Sequence, residues 1–268
     1  MNAHHEAGLN QIPQLFSVIP FGVLILLYIG AAIFTNRFYK KWPLYRTICW
    51  CFGILFAALA VVGPLANRAH MDFNAHMMGH LLLGMLAPLL IVISAPITLL
   101  LRTLSTRLAR GLTRVLRSWP SRIVTDPIVA TLLNVGGLLL LYTTDLYSLM
   151  HESSVIYFIV HVHVFIAGYL FTVSMIYIDP VFHRNSFLYR AIVLVIALAG
   201  HGILAKYIYV HPPEGVPIEQ AEQGSMIMYY GGDLIDAVII FILCLQWFRA
   251  TRPRVVEWRE SGTDLEIN

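Results

Sequence analysis

The chain predicts an all-α, polytopic membrane protein with seven transmembrane helices, and three observations predict it. Of 268 residues, 58% are hydrophobic and only 12% charged, against about 25% charged in soluble domains. Seven apolar runs follow one another along the sequence, at about 15–36, 43–63, 74–101, 124–146, 153–178, 187–209 and 225–248. Each reaches the roughly 20 residues that cross a bilayer. The basic residues, finally, fall in alternate loops. Short connections leave no room for a separate soluble domain, so the chain reads as one domain over 1–268.

The first run has no Lys or Arg ahead of it, so it reads as a retained helix and not a cleaved signal peptide. His4 and His5 precede it and read as a disordered end. The second run holds Cys49-Trp50-Cys51, and Cys244 lies in the seventh. Two residues apart on a helix do not face each other, so these cysteines read as packing residues without a disulfide framework. The third run is long and carries Pro88 and Pro96. Each proline should bend or break it, and Ala87 and Ala95 before them are biased away from helical geometry. Asp72 or Asn74 is placed to cap its start. The fourth, fifth and sixth runs are separated by short loops. The seventh contains Gly231-Gly232, small residues that let helices approach closely. Between the sixth and seventh, residues 210–224 form an acidic, proline-rich loop with His211, Glu214, Glu219 and Glu222.

Sixteen of the eighteen Lys and Arg fall in the first, third and fifth loops and the tail; only Arg68 and Lys206 fall on the other side. The positive-inside rule then predicts the N-terminus outside and the C-terminus in the cytoplasm. The third loop, 102–122, carries six arginines and no acid. It reads as a cytoplasmic flank facing anionic membrane lipid, with no nucleic-acid signal.

The chemistry-bearing feature is histidine inside the spans. Ionisable side chains are costly in hydrocarbon, so an intramembrane cluster reads as a functional site, and imidazole is the commonest metal ligand. His76 and His80 are four apart and stack on one helix face. His80 lies about 6 Å deeper than His76. His161 and His163 lie roughly 12–15 Å inside the fifth run, and His201 about 12 Å inside the sixth. Two apart, His161 and His163 point to different sides, so at most one faces the centre that His80 faces. Asp233 reaches a similar depth in the seventh run, with Asp236 one turn below. Three helices thus deliver imidazoles and a fourth a carboxylate to the outer half of the bundle.

Six of nine methionines also fall on the outer side: Met71, Met77, Met78, Met150, Met226 and Met228. Thioether and imidazole together suit Cu(I). The candidate metal ligands are therefore His76, His80, His161, His163, His201, Asp233, Met77 and Met78, with His70 and Met71 placed to collect an ion at the rim. Taken singly, each histidine has a second reading as a cross-helix hydrogen-bonding group. The sequence holds no nucleophile elbow, P-loop or dinucleotide fingerprint and no pair resembling hydrolytic machinery, so an enzyme is the less expected reading.

Several segments together resemble a known family. His76-Met77-Met78-Gly79-His80-Leu81-Leu82 with Ala87-Pro88 and Ala95-Pro96 is one. His161-Val162-His163 through Tyr169-Leu170-Phe171, followed by Asp179-Pro180, is a second. Tyr189-Arg190 to His201-Gly202, and Glu222-Gln223 with Met226-Ile227-Met228 and Gly232-Asp233, are the others; Tyr229 stands where Trp is expected. Over roughly 20–250 the chain resembles the seven-span bacterial CtaG proteins, assembly factors for haem-copper cytochrome c oxidase. The resemblance implies a multi-pass protein of the bacterial plasma membrane. It also implies a role in maturing the oxidase, plausibly by supplying copper, with an oxidase subunit or other assembly factors as partners.

Three functions remain open on these residues. The first is delivery of copper from a His/Met site. The second is a redox protein holding haem b between two axial histidines, such as His80 or His161 with His201. The third is a metal transporter, disfavoured because the inner halves of the spans are mostly apolar.

Overall fold

The computed structural model describes residues 3–252, with side chains described from residue 18 onward. Arg254 and Arg259, counted above in the cytoplasmic tail, lie outside the described residues. Every element among the described residues is helical: α1 (Ala3–Thr35), α2 (Leu44–Val61), α3 (Pro64–Ala69), α4 (Phe73–Leu81), α5 (Ala87–Ile93), α6 (Pro96–Thr103), α7 (Thr106–Leu116), α8 (Trp119–Val124), α9 (Pro127–Thr131), α10 (Gly137–Thr143), α11 (Leu146–Glu152), α12 (Ser154–Met175), α13 (Phe187–Val210) and α14 (Ile218–Thr251). Single π-helical turns, Leu82–Leu86 and Leu132–Gly136, join α4 to α5 and α9 to α10.

Six helical stretches are long and apolar enough to cross a membrane, and Pro127–Thr143 with Leu146–Glu152, bent by 78°, brings the number to seven if the bent pair is one span. The outward faces are apolar, as lipid requires: Leu26, Ile203 and Leu234 are all exposed. The most buried span is α4 with its continuation to Ile93. It stands at the centre, packed against α2, α12 and α14.

Several boundaries differ from the sequence reading. α1 starts at Ala3 and takes in positions 4 and 5, expected as a disordered end, whose side chains lie outside the described ones. α14 begins at Ile218, so the acidic outer loop shrinks to 211–217. The arginine-rich third loop is not irregular: α7 and α8 occupy most of it. The third run is really two pieces. Ala95 has φ 53° and ψ 57°, a left-handed backbone that ends the span, and Pro96 starts α6 in a new direction. Tyr28 donates to the carbonyl of Ser94 at 2.6 Å, satisfying an acceptor that the break leaves orphaned. Asp179 accepts from the amides of Ile97 and Thr98 and from the Thr98 hydroxyl, and so caps α6.

Pro88 acts differently from the expectation. Ala87 is helical, at φ −62° and ψ −48°, and the chain does not break. The preceding π-turn absorbs the proline. Pro88 has no N–H for the Gly84 carbonyl, and its ring would collide with that carbonyl in a regular helix. The freed carbonyl instead abuts Gly168 of α12, in the space where any side chain would put its Cβ. Only glycine permits this approach, which supplies a weak Cα–H donor to an acceptor that lipid leaves unsatisfied. The second π-turn repeats the pattern: its Leu133 carbonyl accepts from His163 Nε2 at 3.1 Å. Asp72 caps α4 by accepting from Asn74 N at 2.9 Å, as its position predicts.

Candidate functional site

The site lies at the end of the bundle where α4, α12 and α14 begin and α13 finishes. α14 ties down the start of α4 through two glutamines. Gln220 accepts from Phe73 N, and Gln223 accepts from the Asn74 side chain, both at 3.0 Å. His76, Met77 and His80 of α4 are all buried, and Met77 is fully enclosed. His201 of α13 is buried as well.

His76 Nε2 lies 3.0 Å from the hydroxyl of Tyr142, and that hydroxyl lies 3.7 Å from Met77 Sδ. The phenol can donate its one proton to the thioether while its oxygen accepts from an Nε2–H of His76, or donate it to an unprotonated Nε2 instead. Below them, His80 Nε2 and His201 Nε2 are buried and have no hydrogen-bond partner. Glycines make their space. A Cβ on Gly232 would stand 2.6 Å from His201 Cε1, and one on Gly84 would stand 3.2 Å from His80 Cε1. An unsatisfied buried imidazole costs free energy, and α4 and α13 each carry one such Nε2.

The histidine pair on α12 divides as its spacing predicts. His161 turns inward, half-buried, with Nδ1 2.8 Å from the Tyr157 carbonyl and its ring stacked on Tyr157 at 3.9 Å. A carbonyl only accepts, so Nδ1 carries the proton and Nε2 keeps its lone pair. His163 is exposed and held to Leu133 across an apolar groove lined by α10 and α12. Met78 and Asp233 are exposed, whereas Asp236 is buried. Of the eight candidate ligands, His76, His80, His161, His201 and Met77 therefore face the interior, while His163, Met78 and Asp233 stand outside it.

Sequence reasoning missed three members of this neighbourhood. Tyr142, Tyr147 and His151 surround His76, with ring centres 6.1, 5.2 and 6.4 Å from it. The 78° bend between α10 and α11 brings them there. A helix-breaking signal at Thr143-Thr144-Asp145 was available, but nothing in it gave the direction of the bend. Among the described residues, no three His, Cys, Asp or Glu side chains stand close enough to hold a metal ion together. The cysteines are free, Cys244 exposed and Cys49 and Cys51 half-buried.

The chain is similar to proteins of three mycobacteria. A protein of Mycobacterium leprae is 24% identical over 248 residues, covering 85% of this chain and 38% of that protein. Proteins of Mycobacterium bovis and Mycobacterium tuberculosis are each 30% identical over 173 residues, covering 59% of this chain and 25% of theirs. All three are described as uncharacterized, and the chain spans between a quarter and two-fifths of their length. No solved structure matches it. Residues 26–250, which hold every inward-facing histidine described above, match one family, and on that match the chain belongs to the cytochrome c oxidase caa3 assembly factor family.

Proposed function

We propose that this protein takes part in assembling a haem-copper cytochrome c oxidase by holding copper and handing it over. The observation that carries the reading is the pair of buried, partnerless Nε2 atoms on His80 and His201. The metal is cargo here, not a resident cofactor. Neutral imidazoles in an apolar interior suit Cu(I), a soft ion that accepts few ligands, with the Met77 thioether nearby. His76 and His161 flank the pair from the rim. Membership of the family supports the oxidase as the recipient. The alternating basic loops support placing the histidine end outside the cytoplasm and the arginine end within it.

The test is Cu(I) titration of the detergent-purified chain under anaerobic conditions, with parallel absorption spectra, and oxidase activity in cells. We expect about one Cu(I) per chain, lost in His80→Ala and in His201→Ala, and a matching loss of mature oxidase. Full oxidase maturation in both variants would overturn the proposal. A Soret band with stoichiometric iron in the purified protein would replace copper by a bis-His haem.

A further inference from the structure

The outer mouth of the site contains a feature that the holding pair does not explain. An open cavity of about 330 Å³ is lined by His70, Met71, His151, Glu152 and Glu214, with Tyr147 in its wall. Met71 is 88% exposed, whereas His76, which packs against the cavity-wall residue Tyr147, is buried. Between rim and interior the imidazoles form a file. The ring centre of His70 is 6.2 Å from that of His151, and His151 is 6.4 Å from His76. With a metal–nitrogen bond of about 2 Å on either side, plus half of each ring, two imidazoles sharing one ion have centres about 6 Å apart. Both separations match that span.

The file is also prepared chemically. His151 Nδ1 lies 2.8 Å from the Tyr147 carbonyl. The carbonyl only accepts, so the proton sits on Nδ1 and the Nε2 lone pair is left for a ligand, the arrangement that backbone carbonyls impose on metal-binding histidines. Tyr147 packs against both His151 and His76, at 4.7 and 5.2 Å, and fixes the rings relative to each other. Glu152 and Glu214 give the cavity a negative edge that attracts cations.

We infer that His70, His151 and His76 form an inlet that loads Cu(I) into the buried pair, with His151 as the transfer ligand. This rests on the copper reading of His80 and His201. Each step is a ligand exchange: a bond forms from copper to the incoming imidazole nitrogen as the bond to the outgoing one breaks. Copper stays Cu(I), and no electron or proton moves between neutral imidazoles.

The experiment is anaerobic stopped-flow transfer of Cu(I) from its bicinchoninate complex to the full chain, read by loss of the donor's colour. His151→Ala should slow loading about tenfold or more, the effect of some 1.4 kcal/mol on the barrier. It should leave the final copper content and affinity unchanged. His151→Asn keeps a donor for the Tyr147 carbonyl but has no second nitrogen, so it should load as slowly with the fold intact. Wild-type loading rates in both variants would overturn the inlet while leaving the holding pair standing. No copper uptake by the unaltered protein would overturn both.

Discussion

Arg190 is a fully buried cation, and its surroundings explain how that is tolerated. Its guanidinium lies between the rings of Tyr177 and Phe187, 4.0 and 4.6 Å from their centres, and donates from Nη1 to the Met175 carbonyl at 2.7 Å. That carbonyl belongs to the last turn of α12, where backbone acceptors are orphaned and the helix end is partially negative. Lysine cannot both stack and reach. Arg190→Lys should therefore lower thermal stability, and Arg190→Met should lower it further, by about 1–3 kcal/mol for the acceptor left buried and bare. A thermal-shift series in detergent checks the order. Gly232 makes the complementary case. Gly232→Ala sets a methyl 2.6 Å from His201 Cε1 and 3.1 Å from its Nδ1. Overpacking of about 1–3 kcal/mol is expected, together with loss of copper affinity, because His201 must leave its place. Copper affinity unchanged in Gly232→Ala would show that His201 is not held there.

At the scale of elements, caps and breaks decide the path of the chain. Asp179 reaches across from the loop after α12 to cap α6, and its position is half-buried. Burial pushes its carboxyl above the ordinary range, while the hydrogen bonds from Thr98 and Ile97 pull against that. Asp179→Ala should cost about 1–2 kcal/mol, the value of a lost helix cap. Asp179→Asn, which keeps an acceptor and sheds the charge, should cost less; an equal cost would mean that charge and not capping holds α6. α7 presents a second case. Leu108 and Val115 share one face, with Arg107, Arg110 and Arg114 on the opposite one, and every one of these is exposed. A two-faced helix with no protein against it belongs in a membrane interface. Residues 106–116 should gain amide-exchange protection in nanodiscs with anionic lipid, relative to detergent, and Leu108→Asp with Val115→Asp should abolish the gain.

For the whole molecule, the two ends have different chemistries. One end gathers His70, His76, His151 and His161 with Tyr142, Tyr147 and Tyr157 beside a cavity. The other gathers the arginines, where Arg46 and Arg102 approach the Trp42 ring at 4.8 and 5.1 Å and anchor the linker between α1 and α2. The histidine end draws residues from α4, α10, α11, α12, α13 and α14, so the site assembles only when these helices pack. The orientation proposed for these ends has a direct readout. In sealed, right-side-out vesicles, a membrane-impermeant maleimide should label Gly215→Cys and leave Gly111→Cys unlabelled; the reverse pattern would invert the topology and place the histidines on the cytoplasmic side.

Much of this was legible in the residues alone. Apolar run length located the spans, six continuous and one bent pair, because hydrocarbon thickness sets the length a helix must have. The four-residue spacing of His76 and His80, and the two-residue spacing of His161 and His163, determined which rings share a face, because helical geometry is local. The capping role of Asp72 was local too. Tertiary structure alone decided the rest. Whether Pro88 breaks a helix depended on Gly168 offering its carbonyl neighbour a place to go. Which of Asp233 and Asp236 turns inward depended on how α14 rotates against α4 and α13. His151 joined the site through a bend whose direction is set by packing between helices distant in sequence. Spacing gives the face of one helix; only the contact between helices says what that face meets.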